Sequence, residues 1–497
     1  MNSWNHFLSA LCLFALLAGT ALADVSESPG LKPDLRLLID ISGSMKQSDP
    51  ENLRAPALDL IVRLLPEGSR AGVWIFGEEV ELLVEHRIID DAWRAAAQSA
   101  IADINNSGQR TNIPAAIKAV TYDLGGMDGS YRTSIVLLTD GKVDVSDSPM
   151  ANATAVRTLL TEAAPELGAM GIPVHTIALS EEADWGFLQS LAEQTNGLAE
   201  KAESPGELTE IFLRSLEMVA PTARVPVADN GFQIDSSVKS FAALVFCDDE
   251  QAVLALVDPS GRRYQADTSD VGVEWFRNRK FALVTVTEPA QGLWHLSAPG
   301  STTTRVIVIS DLRLEVDPLP NSLPAGRQTE LGLRLLNHGA ALTNPEILTL
   351  FQISVEITGP DGSVQFIDVS SAYAVPANGE YRITIPPFDL PGRYELMARV
   401  QRDTLQRELP MYVEVIAPEV QSKISTRGEQ LPVDNLESIA LKVGVALFIA
   451  TIALLWFLRR RRKRRMDLWR RRSLNNGSAD DAPLFSGFTA NSDERAD

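Results

Sequence analysis

Cysteine is nearly absent from this 497-residue chain, which holds only Cys12 and Cys247. Cys12 falls in a segment expected to be removed, so the mature protein has no intrachain disulfide. An exported chain of this length must then rely on large buried cores, which fits a bacterial periplasm better than a eukaryotic extracellular space. Histidine is scarce as well. Beyond His6, the residues His86, His175, His295 and His338 are scattered, and His175 falls within an apolar strand. Each is read as structural rather than as a ligand or base. No HExxH pair, GxSxG elbow, phosphate-binding loop or Cys–His pairing occurs, so no enzyme class has a positive signal. Positive charge is lacking across the main body. The net charge is −20, yet residues 459–472 hold ten Arg/Lys against one Asp, so the remainder stands near −29. That balance argues against nucleic acid as a partner.

What is present begins with two apolar segments. Phe7 to Leu17, followed by Ala21-Leu22-Ala23 before Asp24, has the layout of a cleaved signal peptide, assigned to residues 1–23, although its first residues lack Lys and Arg. Ile439 to Leu458 is a run of twenty residues with one charge, Lys442, near its outer end. At 1.5 Å rise per residue it matches a bilayer core of roughly 30 Å, and the Lys442 stem reaches the interface. The sequence RRRRKRR at 459–465 follows it directly. By the positive-inside rule, this places the C-terminus in the cytoplasm and the N-terminal region in the periplasm, as a single-pass inner-membrane protein. Residues 418–438 read as a juxtamembrane linker, and 459–497 as a basic, then disordered, cytoplasmic tail.

From Leu35 to about Ala220, short apolar runs alternate with helix-length amphipathic stretches. This alternation predicts an α/β unit with a doubly wound, mostly parallel sheet, assigned to residues 34–220. In such sheets ligands bind at the carboxyl ends of strands. Two predicted strands end there in acids, one in DISGSM at 40–45 and one in TDGK at 139–142. Asp40 and Asp140 therefore emerge at one edge, and Ser42 and Ser44 add hydroxyls in the first loop. Hard oxygen donors with only two carboxylates suit Mg²⁺ or Mn²⁺ better than a carboxylate-rich Ca²⁺ cage, though Ca²⁺ stays open. Asp49, Asp144 and Asp147, on nearby loops, are read as solvated or capping acids.

With DISGS, the dipeptide Thr111-Asn112 in GQRTNIPAAI and LLTDG, the chain resembles the von Willebrand factor A domain and its metal ion-dependent adhesion site. The resemblance covers roughly 185 residues and implies a Rossmann-like fold. It implies that Ser42 and Ser44 bind a divalent cation directly, that Thr111 is the second-loop threonine, and that Asp40 and Asp140 hold the ion directly or through water. It further implies that a Glu or Asp of a protein ligand completes the shell.

After Pro221 the helical period gives way to short β-branched runs with Pro-Gly turns. LVDPSGRRY (256–264) with GLWHLS (292–297) is echoed by EITGPDGSV (356–364) with GRYELMARV (392–400). The offset is 101 residues between Pro259 and Pro360 and 100 between Gly292 and Gly392, about one sandwich domain. Two β-sandwiches are expected, at 226–310 and 311–417, resembling immunoglobulin-like or fibronectin-like modules. Gly-x-aromatic-x-Leu is read as a final strand turning Trp294 or Tyr394 inward.

The function that these features point to is a non-enzymatic, metal-dependent protein-binding module, an adhesion or scaffold unit carried beyond two β-sandwich spacers on the periplasmic face of the inner membrane. No small-molecule substrate is implied. The alternative is an accessory subunit of a membrane transporter or channel, because the order of segments resembles calcium channel α2δ subunits and chloride channel regulators. The metalloprotease motif of the latter is missing here. A metal-dependent hydrolase is the remote third reading, since the site offers few general bases.

Overall fold

The computed structural model describes residues 31–417 apart from 181, 203–206, 248–252, 266–269, 279 and 299–300. The signal peptide, linker, apolar segment and basic tail expected from the sequence lie outside the described residues. Among those described, no helix is long and apolar enough to cross a membrane.

The first part runs β1 (Lys32–Asp40), α1 (Met45–Ser48), α2 (Arg54–Leu64), β2 (Arg70–Phe76), β3 (Val80–Ile88), α3 (Asp91–Ile101) and α4 (Ile113–Val120). It continues through β4 (Tyr131–Thr139), α5 (Pro149–Thr158), α6 (Ala164–Ala169), β5 (Val174–Ala178), α7 (Trp185–Gln194), β6 (Ala199–Lys201) and α8 (Leu208–Val219). The six strands lie in the order β3-β2-β1-β4-β5-β6. All pairings are parallel except that of the edge strand β3 with β2. The chain therefore starts mid-sheet, leaves towards β3 and returns to the far side at β4. The switch point falls between the carboxyl ends of β1 and β4.

Burial explains why β1 reads as an unbroken apolar run: from Asp34 to Asp40 every residue is buried. Leu35, Leu37 and Ile39 face a core with α2, α3 and α8, whereas Leu38 faces one with α4, α6 and α7. Two covered faces and a side-chain period of two allow no polar alternation. Between α5 and α6 the helix widens to a π-turn over Leu159–Ala163, just before Pro165, whose missing N–H cannot close the regular ladder.

The second part is almost all strand. It runs β7 (Arg224–Val225), β8 (Gly231–Ile234), β9 (Val238–Cys247), β10 (Ala255–Val257), β11 (Arg263–Gln265), β12 (Val273–Arg277), β13 (Phe281–Thr287), β14 (Gly292–Ser297) and β15 (Ser301–Ser310). There follow β16 (Leu312–Val316), β17 (Ser322–Pro324), β18 (Thr329–Asn337), β19 (Ala340–Ala341), α9 (Pro345–Leu348), β20 (Gln352–Thr358), β21 (Val364–Asp368), α10 (Val369–Ala372), β22 (Glu380–Ile385), β23 (Gly392–Arg402) and β24 (Leu405–Ile416). One core joins Phe232, Trp294 and Leu296 to Phe241, Val284 and Val306. Another joins Leu333 and Ile383 to Val355, Leu396 and Val413.

The internal echo in the sequence is a repeated local device. Gly292 and Gly392 have φ of +135° and +131°, and a Cβ on either would lie 2.7 Å or 2.9 Å from the Cβ of Pro259 or Pro360. Only glycine lets each strand start against its proline turn. Trp294 Nε1 donates to Ala290 O at 2.8 Å, and the Tyr394 hydroxyl accepts from Leu390 N at 3.2 Å. Both rings are buried. Their strands are not the last ones, however, because β15 follows β14 and β24 follows β23.

Those two later strands do not lie in separate sheets. β7 pairs with β15 on one side and, through Arg224 and Glu408, with β24 on the other. The result is one ten-stranded sheet, β12-β13-β9-β15-β7-β24-β23-β20-β21 with β17 beside β24, serving both cores. Across the seam the buried Arg407 pairs with Asp235 at 2.8 Å and donates to Ser237 Oγ at 3.0 Å.

Nor is the α/β part held away on spacers. Phe212 and Leu216 of α8 share a core with Leu244, Phe281 and Leu283 of the ten-stranded sheet. Glu217, buried at that junction, pairs with Arg224 and with Arg305 and accepts the Tyr412 hydroxyl at 3.1 Å. The Arg63 guanidinium lies 3.5 Å from the Phe276 ring centroid, and Arg393 pairs with Glu200 at 2.9 Å. Apolar surface on α2 and α8 that would otherwise face water is what draws the parts together.

Candidate metal centre

β1 delivers Asp40 to the switch point fully buried. Its Oδ1 accepts from Ser42 N at 2.7 Å and its Oδ2 from the Thr139 hydroxyl at 2.6 Å. The chain then turns at once into α1, which leaves Ser42 buried and Ser44 exposed. The two hydroxyl oxygens are 3.0 Å apart, and Ser44 donates to Asp140 Oδ1 at 2.8 Å.

The second loop is stitched to the first by backbone. Gly108 N donates to Ile41 O at 2.9 Å and Asn112 N to Gly77 O at 2.9 Å. A Cβ on Gly77 would stand 2.9 Å from Gly108 Cα, so the segments approach as only glycines permit. Asn112 caps α4 by accepting from Ala115 N. Thr111, just before it, is buried with its hydroxyl against Gly141, 3.2 Å from where a Cβ there would sit. Thr111 O also accepts from Asp144 N at 3.0 Å. Asp40, Ser42, Ser44, Thr111 and Asp140 thus meet at one edge of the sheet, from three separate loops.

Neighbouring acids have defined partners. Asp49 is not solvated: it is fully buried and caps α2, accepting from Leu53 N at 2.7 Å and Arg54 N at 3.2 Å. Asp144 and Asp147 pair with Arg110 at 3.2 Å and 2.6 Å. Two residues that sequence reasoning passed over belong to the site. Ser48, one helical turn after Ser44, donates to Asp140 Oδ2 at 2.6 Å, and its spacing of four was the available signal. Arg54, wholly buried, donates to Asp40 O at 3.2 Å. Nothing in its local sequence marks it.

The charges at this edge do not balance. Asp40, Asp49 and Asp140 are buried, and among the described residues Arg54 is the buried cation that faces them. Burial, reinforced by the charge of Asp140, pushes Asp40 up to about 6 against the opposing bonds from Thr139 and Ser42. Two carboxylates, three hydroxyls and an unmet charge of minus two are a donor set suited to a hard divalent cation. Among the described residues no group of three or more His, Cys, Asp or Glu gathers, so oxygen donors are what this edge offers.

The histidines lie elsewhere. His175 is buried in β5, accepts from Leu198 N at 3.2 Å and is pushed down to about 4 by burial and by Arg132. His338 pairs with Asp311 at 3.1 Å, and His295 is exposed on β14.

A doubly wound sheet with this three-loop edge defines a class, and residues 34–214 match it as a von Willebrand factor type A domain. The chain carries that domain joined to extensive β-sheet. No curated protein matches the chain. Similar solved structures include a von Willebrand factor type A protein from Catenulispora acidiphila, at 15% identity over 63% of this chain and 64% of that one, with a TM-score of 0.33. Proximal thread matrix protein 1 from the mussel byssus, described with a zinc-occupied MIDAS motif, is 19% identical over 39% and 50%, with a TM-score of 0.31. The ArnB paralog VWA2 from Sulfolobus acidocaldarius is 14% identical over 72% and 67%, with a TM-score of 0.28. The chain spans about half to two thirds of the length of these structures.

Proposed function

We propose that this protein is a non-enzymatic, cation-dependent protein-binding module. Ser42, Ser44 and Thr111 hold a divalent ion, most suitably Mg²⁺, directly, while Asp40 and Asp140 hold it directly or through water. A shell rich in neutral hydroxyls leaves the ion electrophilic, and an Asp or Glu of a protein partner supplies a further oxygen. The observation that carries this reading is the uncompensated buried charge beside three hydroxyls, of which Ser44 opens the site to solvent. We further propose that residues 439–458 anchor the protein in the bacterial inner membrane with residues 34–417 in the periplasm. In that reading 226–310 and 311–417 are immunoglobulin-like or fibronectin-like units that brace the binding domain.

Calorimetric titration of the full chain with MgCl₂ tests the metal, and Asp140→Ala is expected to abolish the binding heat. Crosslinking from a position beside Ser44, with and without Mg²⁺, tests the partner. Capture that is indifferent to the ion would sink the carboxylate grip. Protease digestion of the 34–417 region in spheroplasts but not in intact cells would support the topology, and resistance in both would refute it.

A further inference from the structure

We infer that Arg54 is a positioning residue for the metal centre, the strut that fixes the loop delivering Thr111 against the loop delivering Ser42 and Ser44. This rests on the metal reading above. The guanidinium is wholly buried, a costly state for a cation unless each donor finds a partner. Its donors are spent on three segments. Nη1 donates to Asp40 O at 3.2 Å, Nε to Asn52 Oδ1 at 2.9 Å, and Nη2 to Asn105 O at 3.4 Å and to Asn106 Oδ1. Its charge lies 3.7 Å from the Asp49 carboxylate.

The segment from Asn105 to Asn106 leads two residues later to Gly108, bonded to Ile41, and five residues after Asn106 to Thr111. The 105–111 loop is short of apolar anchorage: Asn105, Ser107 and Gln109 are exposed, and Asn106, Gly108 and Arg110 are half-buried. Arg54 therefore supplies from below what the loop lacks. A planar fork reaching two backbone oxygens and two amide oxygens at fixed angles is a task that lysine, with one nitrogen, does not perform. The same cation cancels one of three buried acids while leaving two charges for the ion. Replacing it by a neutral residue would raise the pull on a cation, whereas losing the fork while keeping the charge would loosen Thr111.

This separation of charge from shape makes Arg54→Lys the decisive variant. In the full-length protein, calorimetric titration with MgCl₂ is expected to give a dissociation constant at least about ten-fold weaker for Arg54→Lys, the scale of losing a support behind a ligand. Asn106→Ala, which leaves Nη2 only its longer bond to Asn105 O, is expected to weaken Mg²⁺ by about three-fold and to lower the unfolding temperature in EDTA by less than Arg54→Lys does. The double variant is expected to be no weaker than Arg54→Lys alone, because both act through one link. A purely structural Arg54 would lower the EDTA unfolding temperature and leave the Mg²⁺ constant of the folded fraction within about two-fold. That result overturns the inference, as does a double variant with multiplied losses. If Arg54→Lys does not fold, Asn106→Ala decides: an unaltered constant overturns the inference. Failure of the wild type to bind Mg²⁺ or Mn²⁺ would instead remove the metal reading itself.

Discussion

Asp34 and Asp40 sit on the same strand, both fully buried, and their surroundings treat them in opposite ways. At the amino end of β1, Asp34 meets His86 Nε2 at 2.6 Å, the Thr133 hydroxyl at 2.7 Å, Arg36 at 3.0 Å and Arg70 at 3.4 Å. Burial alone would raise it, but His86, Arg36 and Thr133 together bring it down to about 2. At the carboxyl end, Asp40 meets hydroxyls, one backbone N–H and a second acid, and stands at about 6. An acid answered by the chain's own cations is part of the scaffold. An acid answered by hydroxyls and another acid keeps a charge that the chain leaves unpaired, which is what the proposed cation site needs.

The largest expected contrast comes from removing each acid. Asp34→Ala leaves the buried Arg36 with Asp123 as its one remaining carboxylate partner and takes from His86 and Arg70 the acid they share. The loss should be about 3–5 kcal/mol, the usual cost of breaking a buried pair, and should not depend on metal. Asp40→Asn in EDTA at pH 7 should cost far less or even stabilise, since a neutral amide replaces an uncompensated charge, yet the stabilisation by Mg²⁺ should vanish. Urea unfolding of both variants with and without Mg²⁺ checks this. Equal losses in EDTA would erase the distinction between the two ends.

A smaller effect separates them by pH. Asp40 is raised when folded, so without metal its contribution is full below about pH 4 and is lost as pH rises through about 6. Asp34 is depressed, so its contribution is full above about pH 4 and is lost as pH falls through about 2. Each is worth about 2–3 kcal/mol. His175, pushed down to about 4, acts against Asp40 over the same window: its contribution is full above about pH 6.5 and is lost as pH falls towards 4. The readout is therefore the difference in unfolding temperature between wild type and Asp40→Asn in EDTA, which should grow between pH 4 and 7. A constant difference would contradict the charge assignment.

Which of these features the sequence discloses follows from how local they are. The strands ending in Asp40 and Asp140 show themselves because a strand buried on both faces is an unbroken apolar run followed by a polar loop. β3 does not, because an edge strand with mixed exposure carries neither an unbroken run nor clean alternation, and β6 is three residues long. The ten-stranded sheet is hidden for a different reason. Its seam is the two-residue β7, whose partner Glu408 lies far along the chain. Arg54, Asp34 and His86 are equally hidden, since each finds partners about fifty residues away in sequence. Hydroxyl spacing within one loop is legible, but the charge that supports it from another loop is not.

The smallest effect sharpens the metal end alone. Ser48 is half-buried and donates to Asp140 Oδ2, while Ser44 donates to Oδ1 of the same carboxylate. Ser44 is exposed and 3.0 Å from Ser42 Oγ, and in the proposed reading its oxygen is one of those that hold the ion. Ser48 lies a turn further along α1 and orients the acid from the side. Ser44→Ala removes a donor oxygen and should nearly abolish Mg²⁺ binding. Ser48→Ala removes one hydrogen bond to a charged acceptor, partly replaced by water, and should weaken binding by less than about ten-fold. Titration of the two variants side by side checks the ranking. A loss at Ser48 as large as that at Ser44 would turn Ser48 from a support of Asp140 into one of the donors, and would move the ion one helical turn along α1.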